Sequence, residues 1–133
     1  MLEAKQGKEI KIQTPNEIEV LATMAKLISD KGINILAMNA WVEGSHTVLR
    51  LLTEDNLRTT DVLRQHGYDV QEEGVILIEA PHTAGILRHV AETLAEEGIA
   101  LTHLYASATI DQDVCLVVVD TSDNERAFVL LND

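Results

Sequence analysis

The sequence is short of several things, and each shortage excludes something. Cys115 is its one cysteine, so an internal disulfide, a cysteine-based zinc cluster and a CxxC redox pair are all ruled out. Nothing points to an oxidising compartment. Its aromatics are Trp41, Tyr68, Tyr105 and Phe128, which leaves the core to Ile, Val, Leu and Ala and provides no platform for stacking bases. Basic residues are scarce too: 10 Lys and Arg stand against 22 Asp and Glu, a formal net charge of −12. A surface that acidic repels phosphate backbones and anionic headgroups, so neither nucleic acid nor a membrane is expected as a partner. No apolar run approaches the roughly 20 residues of a membrane-spanning helix. The opening MLEAKQ lacks a basic stretch followed by an apolar run, so no targeting segment is expected and the cytoplasm is the expected location. Prolines are scarce as well: there are two, Pro15 and Pro81, 66 residues apart in a chain of 133.

That spacing is a repeat. One gapless offset of 66 aligns Ile10 with Ile76, Ile12 with Ile78, Pro15 with Pro81, Leu21 with Leu87, Ala25 with Ala91, Gly32 with Gly98, Ile33 with Ile99 and Ala40 with Ala106. Each copy reads alike. Residues 9–13 (EIKIQ) alternate as a half-buried strand, and residues 75–78 form an apolar run suited to a buried one. Each proline then ends its strand, having no amide hydrogen to donate. A helix follows in each copy, with Ile18, Leu21, Ala25 and Ile28 on one face of the first and Ala84, Leu87, Ala91 and Leu94 on one face of the second. Gly32 and Gly98 are the expected helix ends. Residues 33–42 and 47–52 predict a hairpin about Glu43-Gly44-Ser45, and residues 99–110 and 114–119 a second about Asp111-Gln112-Asp113. A second helix follows each hairpin, started by Asp55 or Asn56 in one copy and by the capping box Ser122-Asp123-Asn124-Glu125 in the other. Copy one closes with a fourth strand near residues 68–72. Copy two has none.

The expected fold class is therefore α+β: two ferredoxin-like βαββαβ repeats, the second lacking its last strand, each an antiparallel sheet with helices on one face. The expected domains are residues 1–73 and 74–133. Halves of about 65 residues have marginal cores, and a bare sheet edge recruits partners, so packing of the halves and a homodimer are expected.

A strand, a loop, a helix ending in Gly-Ile-Asn-Ile and a hairpin, twice over, resemble the ACT domain, a family of regulatory modules that bind amino acids between paired domains. The resemblance covers residues 9–131 as a tandem pair. In that family an Asn-x-x-Gly loop opens the first helix, its glycine admits a ligand carboxylate to backbone amides, and a second asparagine after the Gly-Ile reaches in from the facing domain. Here the first copy reads Pro15-Asn16-Glu17-Ile18-Glu19 and then Gly32-Ile33-Asn34-Ile35, keeping both asparagines and losing the glycine. The second reads Pro81-His82-Thr83-Ala84-Gly85 and then Gly98-Ile99-Ala100, keeping only the glycine. The resemblance thus implies a composite site of His82, Thr83, Ala84 and Gly85 with Asn34. Asn16 is a weaker contributor, because Glu19 puts negative charge where the carboxylate would sit.

Each residue also has a plainer reading. Asn16 with Glu19 fits a helix N-cap and its capping-box partner. Asn34 is odd in a strand entry and fits a turn or a ligand. Gly85 in a first helical turn costs up to about 1 kcal/mol against alanine, which favours a close backbone approach there. Asn39 near Trp41 fits an interface polar group or an exposed strand position. His46, His66, His82, His89 and His103 match no metal-binding spacing, and Cys115 lies in an apolar strand, so no metal or other cofactor is expected. Glu72-Glu73 and Glu96-Glu97 read as solvated faces. With no glycine-rich phosphate loop, Gly-x-Ser-x-Gly elbow or His-Glu-x-x-His helix, catalysis is not expected either. What remains is a small amino acid as ligand, with a ligand-free docking module or a subunit regulating a partner enzyme as the rival readings.

Overall fold

The strands that open the two copies are longer than their alternation suggests. In a computed structural model, which describes residues 2–108 and 113–132, β1 spans Glu3–Pro15 and β4 spans Val70–Pro81. Between and after them come α1 (Val20–Asp30), β2 (Ile35–Glu43), β3 (His46–Thr53), α2 (Asn56–Gln65), α3 (Ile86–Glu96), β5 (Leu101–Ala108), β6 (Val114–Thr121) and α4 (Asn124–Leu131). Both long strands end at their prolines. Of the second expected hairpin turn, Thr109 to Gln112 lie outside the described residues.

The chain forms two compact units, Lys8–Glu73 and Met1–Gly7 with Gly74–Asp133. In the first, the strand order is β4-β1-β3-β2, with residues 70–73 of β4 beside residues 8–15 of β1. Ile10, Ile12, Leu49 and Leu51 turn to one face, where Val20, Met24 and Ile28 of α1 and Val62 and Leu63 of α2 bury against them. In the second the order is β1-β4-β6-β5, and Ile76, Ile78, Val117 and Val119 meet Val90 and Leu94 of α3 and Ala127 and Leu131 of α4. Each unit is an antiparallel four-stranded sheet with two helices on one face. The fold class is α+β and ferredoxin-like.

The second unit finds its fourth strand at the other end of the chain. Residues 3–7 lie beside β4, and Ala4 is buried in the core with Leu2 packed against it. Asn132 holds this strand as a peptide group would: its Oδ1 accepts from the Ala4 N–H at 2.9 Å and its Nδ2 donates to the Ala4 carbonyl at 3.0 Å. Residues 1–7, grouped by sequence order with the first half, thus belong to the second unit, because strand pairing follows space.

Three details differ from the sequence reading. The buried helix faces are shifted: Ile18 is fully exposed and Leu21 and Leu87 are exposed, while Val20, Met24 and Ile28 and their counterparts Ile86, Val90 and Leu94 turn inward. A helical apolar stripe leaves this phase ambiguous when Leu and Ala stand on both sides of it. The cap of α4 is Asp123, whose side chain accepts from the Arg126 N–H, just as Asp55 accepts from the Arg58 N–H in α2. Ser122 instead accepts from the Ala100 N–H. Finally, the repeat changes offset, from 66 before the hairpin turns to 68 after them, since Asp55 matches Asp123 and Arg58 matches Arg126.

Candidate ligand-binding site

Pro81 ends β4, and α3 begins five residues later, at Ile86. Between them the chain reverses at Gly85, which caps α3 with φ of +93°, a left-handed conformation that costs a side-chain-bearing residue roughly 1–2 kcal/mol. The glycine of the family loop is therefore a backbone requirement here. His82 donates its N–H to the Asp113 carbonyl, tying the loop to β6, and Thr83 donates to the Pro81 carbonyl. The first intrahelical bond of α3 runs from the His89 N–H to the Gly85 carbonyl at 2.9 Å. The amides of residues 86–88 have no acceptor within the helix, and the helix dipole adds positive potential there.

This helix start opens onto a cleft of about 340 Å³. The loop and α3 line it with His82, Thr83 and Gly85 to Arg88, β5 with Ala106 to Ala108, and β6 with Cys115 and Val117. Ala84 is exposed and is not among the lining residues. Arg88 reaches outward, its Nε 2.7 Å from Glu92 Oε1 on an exposed surface. The sequence reading missed the hairpin wall. The signal was available at one point: Cys115 follows Thr47 by 68 residues, and Thr47 contacts the equivalent loop in the first unit.

There the loop carries the same backbone tie and a side-chain bond beside it. Asn16 donates its N–H to the Ser45 carbonyl at 2.9 Å, and its Oδ1 accepts from Thr47 Oγ1 at 2.9 Å. The capping box expected of Asn16 and Glu19 does not form, because α1 starts only at Val20 and its cap, Glu19, makes no side-chain cap bond. Asn34 is held within the same unit: its N–H donates to Glu54 Oε1 at 3.0 Å and its Nδ2 lies 3.4 Å from Glu54 Oε2. Ser122 serves the second unit as Glu54 serves the first. Asn39 stands opposite Arg50 in the β2–β3 register, partly exposed. Among the described residues no three His, Cys, Asp or Glu side chains are grouped to hold a metal ion. None of the helices they form is long and apolar enough to cross a membrane.

One other polar cluster lies on the sheet face of the first unit away from its helices. Glu9 and Arg50 are buried, with Arg50 Nη1 2.8 Å from Glu9 Oε1 and 3.4 Å from Glu73 Oε2, and Lys11 Nζ lies 3.7 Å from Glu73 Oε1. Burial pulls the Arg50 pKa down, but the hydrogen bond it donates to Glu9 and the charges of Glu73 and Glu9 outweigh it and raise the guanidinium above its ordinary value. The cation is permanent. Glu73, read from sequence as part of a solvated pair, is half-buried in this cluster.

Comparison with known proteins places the fold. No protein-family model and no curated protein matches the chain. Among solved structures, protein BT0572 from Bacteroides thetaiotaomicron is similar with a TM-score of 0.89 and 22% identity, over 97% of this chain and 88% of that one. The ligand-free regulatory subunit of aspartate kinase from Thermus thermophilus has a TM-score of 0.66 at 13% identity, over 97% and 94%. A structure of aspartokinase alpha and beta subunits has 0.65 at 19%, over 98% and 95%. These likenesses establish an ACT-like fold.

Proposed function

We propose that this protein is a non-catalytic regulatory module of the cytoplasm that binds a small amino acid in the cleft beside Gly85. The observation that carries this reading is the cleft itself, since it brings the start of α3, whose first amides have no acceptor within the helix, beside the strands β5 and β6. A carboxylate suits such amides without any further partner. His82 and Thr83 also line the cleft and orient the rest of the ligand. Asn16 and Asn34, whose polar groups bond within the first unit, act by holding their own loops. The structural neighbours named as regulatory subunits of aspartate kinase lend support to a regulatory role, and a partner enzyme is its natural target.

A homodimer belongs to the same proposal. Ile35, Leu36, Met38 and Val42 of the edge strand β2 are all exposed, and an apolar edge of this kind is ordinarily covered. Ligand binding then biases which arrangement of domains is populated.

Thermal-shift measurements against the twenty amino acids test the ligand. A compound bound only by the native state raises the melting temperature by mass action. A flat response at millimolar concentration rejects ligand binding and leaves a docking module, and light scattering that gives a monomer at micromolar concentration rejects the dimer.

A further inference from the structure

The two units treat the junction of their helices in opposite ways. In the second, Glu97 follows the last turn of α3, and Arg126 of α4 donates through Nη1 to its carbonyl at 3.1 Å and through Nη2 to its carboxylate. In the first, Lys31 follows α1 at the position 66 residues earlier, and Arg58 of α2 stands 68 before Arg126. Arg58 keeps the backbone half of this clamp, its Nη2 donating to the Lys31 carbonyl at 2.9 Å. The carboxylate half is replaced by an ammonium.

No carboxylate of the first unit takes the place of Glu97. Lys31 is exposed and forms no ion pair among the described residues. Its neighbour Asp30 is held by Lys26 at 2.7 Å, and Asp55, which caps α2, stands 3.9 Å from Arg58 Nη1. The bond to the Lys31 carbonyl keeps the two cations together although like charges repel. Beside them lies a pocket of about 190 Å³ lined by Lys31, Arg58, Asp61, Val62 and Gln65, of which Val62 alone is buried. Asp61 stands where the second unit has Val129 and pairs with neither cation.

We propose that this pocket binds a small oxoanion that also carries a hydroxyl group. Its oxygens take the place on Arg58 that the Glu97 carboxylate takes on Arg126, and Lys31 adds a second charge-assisted bond. Its hydroxyl donates to Asp61, and Gln65 offers an amide on the same wall. A 2-hydroxy carboxylate and a phosphate share this chemistry. The net charge of −12 opposes any anion at long range, but beyond about 8 Å it is screened at physiological ionic strength, so the local groups decide. Once bound, the anion ties the end of α1 to α2. This pocket belongs to the first unit and the cleft beside Gly85 to the second, so either reading fails or stands without the other.

The test is an NMR titration of the full chain, following backbone amides and arginine side chains, with inorganic phosphate and with L-lactate, each against sodium chloride at matched ionic strength. Saturable shifts at Lys31, Arg58 and Val62 with phosphate or lactate, and none with chloride, are the expected result, and the tighter of the two identifies the source. Lys31→Glu copies the second unit, puts the chain's own carboxylate beside Arg58 and weakens the anion by about tenfold or more. Lys31→Arg keeps the charge and most of the affinity. The spectra themselves report that each variant is folded. Equal shifts with chloride reveal charge screening alone and overturn the site. Binding that Lys31→Glu leaves unchanged overturns its placement, and a loss as complete in Lys31→Arg overturns the role of the charge. Silence from both anions overturns the proposal and leaves the cleft of the second unit untouched.

Discussion

In the first unit Asn56 accepts from the Thr53 hydroxyl at 2.8 Å and donates to the Lys8 carbonyl at 3.0 Å; in the second Asn124 accepts from the Thr121 hydroxyl at 2.7 Å and donates to the Gly74 carbonyl at 3.1 Å. Arg58 donates to the Lys31 carbonyl, and Arg126 to the Glu97 carbonyl. The frame that joins the second helix of each unit to its sheet has therefore been kept bond for bond. The sheet faces away from the helices have not. Where the first unit has Glu9, Lys11, Arg50 and Glu73, the second has Val75, Leu77, Val118 and, beside Leu77, Gly7. A Cβ at Gly7 would stand 2.9 Å from Leu77 Cδ1, so the glycine makes room for the leucine. Duplicated chains diverge where a layer can be exchanged as a set, and hold where single bonds satisfy buried backbone groups that have no alternative partner.

The effect that separates the two units most widely comes from the element that one unit takes from a distant part of the chain. Removing residues 1–7 strips the second unit of its fourth strand, of buried Ala4 and of the Asn132 clasp. Amide exchange in residues 75–80 and 117–119 is expected to accelerate roughly a hundredfold or more, about 3 kcal/mol, with protection in Lys8–Glu73 retained. Equal loss in both units, or none, would show that the strand does not belong to one of them. Asn132→Ala gives the graded version, about 1–3 kcal/mol from two lost bonds and the buried groups left behind.

The exchanged layer gives the next effect. Arg50→Met takes the Arg50 guanidinium away from fully buried Glu9 and is expected to cost about 3–5 kcal/mol in urea unfolding. The triple change Glu9→Val, Arg50→Val and Glu73→Gly copies the second unit at these three positions and removes the buried ion pair together with Glu73, leaving Lys11 in place. It is expected to be neutral or stabilising by about 1–4 kcal/mol. A triple variant as unstable as Arg50→Met alone would mean that the two faces are not interchangeable solutions.

Much of this was legible in the residues. The two prolines and the Gly-Ile pairs revealed the repeat because backbone punctuation survives divergence, and the alternation of residues 9–13 fixed which side of β1 is apolar. Residues 3–7 were illegible as a strand of the second unit, since their partner β4 lies some seventy residues on and the polar EAKQG has no pattern of its own. The helix phase failed for a related reason: Leu21 and Leu87 are exposed, and a sequence shows that a leucine is present without showing what it faces. Of the site, Gly85 and His82 were visible through the family loop. The wall of Ala106, Ala108 and Cys115 was not, because small residues on a hairpin carry no signal until the strands are paired.

The smallest effect tests the conserved frame itself. Asp55 and Asp123 cap their helices through bonds of 3.1 and 3.2 Å to the N–H groups of Arg58 and Arg126, and their backbone angles agree to within a few degrees. Each is exposed enough for its carboxylate to be resolvated on fraying, so each cap contributes about 1 kcal/mol. Asp55→Ala and Asp123→Ala are therefore expected to cost nearly the same, within about 0.5 kcal/mol of each other, when local opening of α2 and α4 is followed by hydrogen exchange. The surroundings sharpen the point. Behind the cap, α2 buries Thr59, whose hydroxyl donates to the Asp55 carbonyl at 2.9 Å, whereas α4 buries Ala127 in the same place. If the costs differ by more than that margin, the threonine is sharing in the cap, and the two frames are alike in geometry but not in energy.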